Sequence, residues 1–147
     1  MKVSWTMRNI LAALISSFVT ALLVSIYLTS DYSNLLGNLY FNLVNIYLGH
    51  AVFALPLSLI ADRLSSQLSL GRFFIEWGLY LLIGPLLAVL LAVFTMFLSL
   101  YLIPISFIFP ITYTLVKKIP AAFLKRSLTA AVLLSVAVTA AMYYSIR

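Results

Sequence analysis

The acid–base chemistry available to this 147-residue chain near neutral pH rests on one histidine, His50, and three carboxylates, Asp31, Asp62 and Glu76. His50 belongs to the apolar stretch "GNLYFNLVNIYLGHAVFALPLSLI", Gly37 to Ile60, which also holds Asn38, Asn42 and Asn45. At about 100° per residue, Asn38, Asn42, Asn45 and Gly49 share one narrow arc of a helix, with Asn34 beside it and His50 about 80° from Asn42. An amide facing hydrocarbon costs several kcal/mol, so this polar stripe must face other helices or water. Three uses are open to it. The asparagines can hydrogen-bond to Ser and Thr on neighbouring helices, line a hydrated substrate or ion path, or form a dimer contact. His50, as the one titratable group at that depth, is either a proton relay or a neutral ring satisfied by a nearby hydroxyl or carbonyl.

Other chemistry is poorly supplied. The chain has no HExxH motif for zinc, no GxSxG elbow, no paired intramembrane aspartates and no Gly-rich phosphate loop. With no cysteine, thiolate chemistry, disulfides and thiol metal sites are all excluded. One histidine and three scattered carboxylates assemble neither a metal site nor an acid–base dyad. The sequence therefore predicts no enzyme and no cofactor.

The elements that must position the stripe follow from composition. The chain is 65% hydrophobic and 8% charged, with a mean hydropathy of +1.16. That is too apolar for a soluble fold of this size, which needs a polar exterior. With about 20 apolar residues needed per crossing, the uncharged runs predict five spans at about 10–30, 39–61, 75–97, 100–116 and 127–145. The expected fold is an all-α, polytopic transmembrane helix bundle forming a single membrane domain over residues 1–147, with loops at about 62–74 and 117–126. Four spans, with the third and fourth merged, is the alternative.

Charge separates the two counts. Five spans with a cytoplasmic N-terminus put Lys2, Arg8, Arg63, Arg72, Lys117, Lys118, Lys125 and Arg126 on the cytoplasmic side, as short basic loops prefer. Four spans would place "KKIPAAFLKR" outside. The net charge of +6 is thus explained by topology and by anionic headgroups, and no soluble basic face exists to bind nucleic acid. The first apolar run exceeds a signal-peptide core and lacks a small-x-small cleavage site, so it reads as an uncleaved helix. Trp5, Trp77, Tyr143 and Tyr144 stand where amphipathic rings anchor at the headgroup layer, and Arg72 and Glu76 are spaced to pair on a helix.

Small residues recur four apart within the spans: Ala13, Ser17, Ala21 and Ser25; Gly84, Ala88 and Ala92; and Ser127, Ala131, Ser135 and Thr139. Such rows let helix backbones approach closely in lipid, where burial of apolar surface gives no drive to associate. Pro56, Pro85, Pro104 and Pro110 lie in or beside spans, and Pro104 reads as the first turn of the fourth helix. The stretch "ALPLSLIADRLSSQ", Ala54 to Gln67, resembles small, uncharacterised multi-span membrane proteins of bacilli, over roughly Phe53 to Pro85. That resemblance implies location and architecture, with no activity to carry over.

The expectation is a multi-pass protein of the bacterial cell membrane acting through intramembrane contacts, in an accessory, regulatory or structural role. Its partners would be the lipid bilayer and a membrane protein or a second copy of itself. The alternative is a small transporter or channel using the polar face of the second span.

Overall fold

A computed structural model describes residues 2–28, 34–66, 71–92 and 96–146. The architecture is all-α, and among the described residues no strand occurs. The helices are α1 (Lys2–Leu28), α2 (Leu35–Gly49), α3 (Leu55–Ser65), α4 (Arg72–Ala92), α5 (Met96–Lys117) and α6 (Ala121–Ile146). A π-helical turn, His50–Ala54, joins α2 to α3 into one continuous rod. Among the described residues, five helices are thus long and apolar enough to cross a membrane: Trp5–Tyr27, Leu35–Leu64, Phe74–Ala92, Leu100–Lys117 and Ala121–Ile146.

The wide turn lies directly ahead of a proline. Pro56, at the start of α3, has no N–H to return to the carbonyl one turn back, and its ring crowds that carbonyl. The backbone opens to a longer loop in which the Leu55 N–H bonds the His50 carbonyl. Pro85 lies inside α4, and Pro104 and Pro110 lie inside α5. Because α5 begins at Met96, Pro104 is well past the first turn expected for it. The basic segment expected as a loop over 117–126 is mostly helix, since α6 starts immediately after Pro120 and the Phe123 N–H bonds the Pro120 carbonyl. Proline at a helix start loses no bond there. The one glycine with positive φ, Gly71 (φ 87°), stands directly before α4. That left-handed conformation suits a residue without Cβ.

α1 and α5 form the middle of the bundle. α1 packs on α2, α5 and α6, and α5 packs on α1, α2 and α4. Half of the apolar window of each central helix is buried, against 11% for α6, which among the described residues touches only α1 and α2 and so presents most of its circumference outward. The small-residue rows sit at these contacts. Ala13, Ser17, Ala21 and Ser25 are all buried, as are Ala88 and Ser135. Ala131 and Thr139 are half-buried, and Ala92 is exposed at the end of α4.

Gly84 fixes the closest approach. A Cβ there would overlap Ser106 Cβ of α5, lie 2.7 Å from Ser106 Oγ and come within 3.4 Å of Phe53 Cζ. Gly84→Ala is expected to lower stability by about 1–3 kcal/mol through overpacking, measured by thermal unfolding in detergent, and Ser106→Gly on the same chain should restore most of the loss.

Candidate functional site

The polar residues of the second rod occupy three different environments. Asn42 is buried and its amide is bonded at both ends: Nδ2 donates to Ser25 Oγ of α1 at 2.8 Å, and Oδ1 accepts from the Tyr101 hydroxyl of α5 at 2.6 Å. His50 is also buried. Its Nδ1 lies 2.9 Å from the Ile46 carbonyl and 3.2 Å from Ser17 Oγ, and its Nε2 lies 2.8 Å from Ser16 Oγ. A carbonyl only accepts, and Ser17 already donates its proton to the Ala13 carbonyl, so Nδ1 carries the hydrogen. Nε2 then accepts from Ser16, and a neutral ring satisfies every group. Asn38 and Asn45 are half-buried, and Asn45 Nδ2 donates to the Phe41 carbonyl of its own helix at 2.8 Å.

The inward face of α2 is therefore not centred on the amide stripe. Asn42, Leu43, Ile46, Gly49 and His50 are its buried positions, so the face runs through Ile46, about 80° round from Asn38. A Cβ at Gly49 would meet Ile105 Cδ1 at 2.7 Å, which holds this face close against α5. Between them, the two buried groups connect three helices.

A larger assembly lies near the basic end, and it draws on residues far apart in sequence. Asp62 Oδ2 accepts from Trp5 Nε1 of α1 and, at 2.9 Å, from the Tyr113 hydroxyl of α5. Lys117 Nζ lies 2.7 Å from Glu76 Oε2 of α4 and 3.8 Å from Asp62 Oδ1, and it also sits 4.3 Å from the centre of the Tyr113 ring. Arg8 caps the last turn of α5: its guanidinium donates to the carbonyls of Val116 (3.3 Å), Lys117 and Ile119 (3.1 Å). A cation there answers both the unpaired carbonyls and the negative end of the helix dipole. Two carboxylates, Arg8 and Lys117 make the group electrically balanced, which is the condition for charges held partly out of water.

No family model matches the chain, and comparison with curated proteins and with solved structures likewise finds no match. What the assembly can do is thus read from its chemistry alone.

It is a structural clamp joined to the core by aromatic rings. Phe109 stacks on Tyr113 (5.9 Å between ring centres) and tilts toward His50 (5.7 Å) and Tyr80 (5.4 Å), so an aromatic seam runs from the clamp to the middle of the bundle. Among the described residues no group of three or more His, Asp or Glu is placed to hold a metal ion. The sequence reading treated these charges as topology markers and missed the clamp. Glu76 pairs with Lys117, 41 positions away, while the side chain of Arg72, its expected partner, lies outside the described residues. The signal that existed was placement, because each charge stands at the same end of a different span. Trp5 and Trp77, read as anchors, turn their N–H groups to Asp62 and, at 3.4 Å, to Thr114 Oγ1.

Removing one member leaves the others uncompensated. Lys117→Met is expected to cost about 3 kcal/mol of stability, and the double change Glu76→Gln, Lys117→Met, which removes the ion pair and leaves Asp62 to balance Arg8, should recover more than half of it, as read by denaturation in detergent. Asn42→Leu, which strands the Ser25 and Tyr101 hydroxyls, should cost about 1–2 kcal/mol by the same measurement.

Proposed function

We propose that this chain is a multi-pass integral protein of the bacterial cell membrane that acts by intramembrane helix contacts, in an accessory, regulatory or structural role, and that it is not an enzyme. One observation carries the reading: α6 has two small-residue faces. Ala131, Ser135 and Thr139 turn toward the bundle, whereas Ala137, Ala141 and Ser145, about 120° round the helix, are all exposed. Ser145 satisfies its own hydroxyl on the Ala141 carbonyl at 2.8 Å, so this outer row carries no unpaired polar group into lipid. It offers close backbone approach to a helix of another membrane protein or of a second copy. The basic end faces the cytoplasm on this reading, as the excess of Lys and Arg there favours.

A second reading, a small transporter or channel, draws on buried polar atoms near the polar centres that have no protein partner among the described residues. Asn9 Oδ1 stands next to the clamp, and Thr20 Oγ1 lies between the depths of His50 and Asn42 along α1. The internal pairing of Asn42 and His50 favours packing over a water path.

The absence of native cysteine makes the distinction measurable. Asn42→Cys and His50→Cys are expected to stay dark to a membrane-impermeant thiol reagent, while Lys118→Cys labels only when the cytoplasmic face is opened. Ala141→Cys should cross-link to one discrete protein or to itself, and Ala141→Ile should abolish that product formed through a cysteine at Ala137. Labelling at His50→Cys together with ion flux in liposomes would replace the contact reading with the transport one.

A further inference from the structure

The clamp leaves the basic end with an excess of positive charge. Asp62 and Glu76 are the two carboxylates at this end, and both are engaged inside the bundle with Trp5, Tyr113 and Lys117. Arg63, Lys118, Lys125 and Arg126 are exposed, and among the described residues none of the four is paired with a carboxylate. Two of them stand over an apolar surface. Lys125 and Arg126 head an open groove of about 390 Å³ whose other walls are Thr129, Ala130 and Leu133. Thr129 returns its hydroxyl to the Lys125 carbonyl at 3.0 Å, so the groove below the two cations presents methyl and isobutyl groups without a free donor. Leu133 is 65% exposed. α6 has no acidic residue in its first turn, so nothing local offsets either cation or the positive end of the helix dipole.

We propose that this groove is a binding site for one anionic glycerophospholipid, its phosphate between Lys125 and Arg126 and one acyl chain along Ala130 and Leu133. The dimensions agree. Lys125 to Leu133 spans about 12 Å of helix, close to the roughly 15 Å depth of one hydrocarbon leaflet. Charge complementarity selects the occupant: two adjacent unpaired cations at the headgroup level favour a phosphate whose net charge is negative over one balanced by choline. The lipid lies in one half of α6 and the outer row of Ala137, Ala141 and Ser145 in the other, so lipid and partner helix do not compete. The site rests on the reading of the chain as membrane-integral, which retention in the membrane after alkaline carbonate extraction tests by itself.

The experiment is native mass spectrometry of the full chain in mild detergent, with equal amounts of phosphatidylglycerol and phosphatidylcholine carrying the same acyl chains. One phosphatidylglycerol should bind in preference, by about tenfold. Lys125→Gln with Arg126→Gln should bring the ratio near unity, the charge-keeping pair Lys125→Arg with Arg126→Lys should preserve it, and Arg63→Gln on α3 should leave it unchanged. Both positions are exposed, so the variants are expected to keep the helical circular dichroism of the parent. Equal binding of the two lipids by the parent chain overturns the proposal. So does a preference that survives the double Gln change, or one that falls as much with Arg63→Gln, which would mean a diffuse charge effect. Competition by glycerophosphoglycerol, the headgroup without chains, at the same concentration as the lipid would overturn the acyl groove.

Discussion

Asp62 is the point on which the bundle depends. Its carboxylate takes the indole N–H of Trp5 and the hydroxyl of Tyr113, and it lies beside the Lys117 ammonium that Glu76 also holds. Four helices, α1, α3, α4 and α5, are thereby tied at one end by groups that cannot be left unpaired at low cost away from water. In a bilayer the apolar surfaces of helices gain little by leaving lipid for one another, so such polar pairings choose which helix lies beside which. Arg8 extends the tie by closing the carbonyl end of α5.

Further along α1, the same logic recurs with neutral groups. Ser16 and Ser17 hold His50, and Ser25 holds Asn42, which Tyr101 completes from α5. α1 thus presents Ser16, Ser17 and Ser25 at successive depths, each matched by a partner from the second rod. Dispersion fills the intervals: Gly49 admits Ile105, Gly84 admits Ser106, and Phe109 joins Tyr80, Tyr113 and His50. The π turn at His50 belongs to this arrangement. The helix opens just ahead of Pro56, and the opening begins at the residue whose ring reaches α1.

α6 stands apart from this network. It contributes few buried residues, and its charges and its outer row are turned away from the other helices. A helix attached by one face, with a distinct surface on the other, is the element of this fold most available to lipid and to another protein.

Much of the architecture was legible in the sequence because hydropathy and chain length are one-dimensional properties. Five apolar runs follow from counting residues against a bilayer's thickness, and the gathering of Lys and Arg at alternate connections gives them an order. The rows of Ala, Ser and Gly followed from the helical period. The rotation of each helix about its axis was not legible: the Asn38, Asn42 and Asn45 stripe pointed to one face, whereas the buried face runs through Ile46 and takes in His50. Nor was the pairing of Glu76 with Lys117 or of Trp5 with Asp62. Sequence by itself determined an all-α chain with five helices fit for a membrane, because each helix satisfies its own backbone and needs no neighbour to do so. Only the tertiary structure decided which polar side chains meet, because those partners lie dozens of residues apart and come together only through the packing of helices.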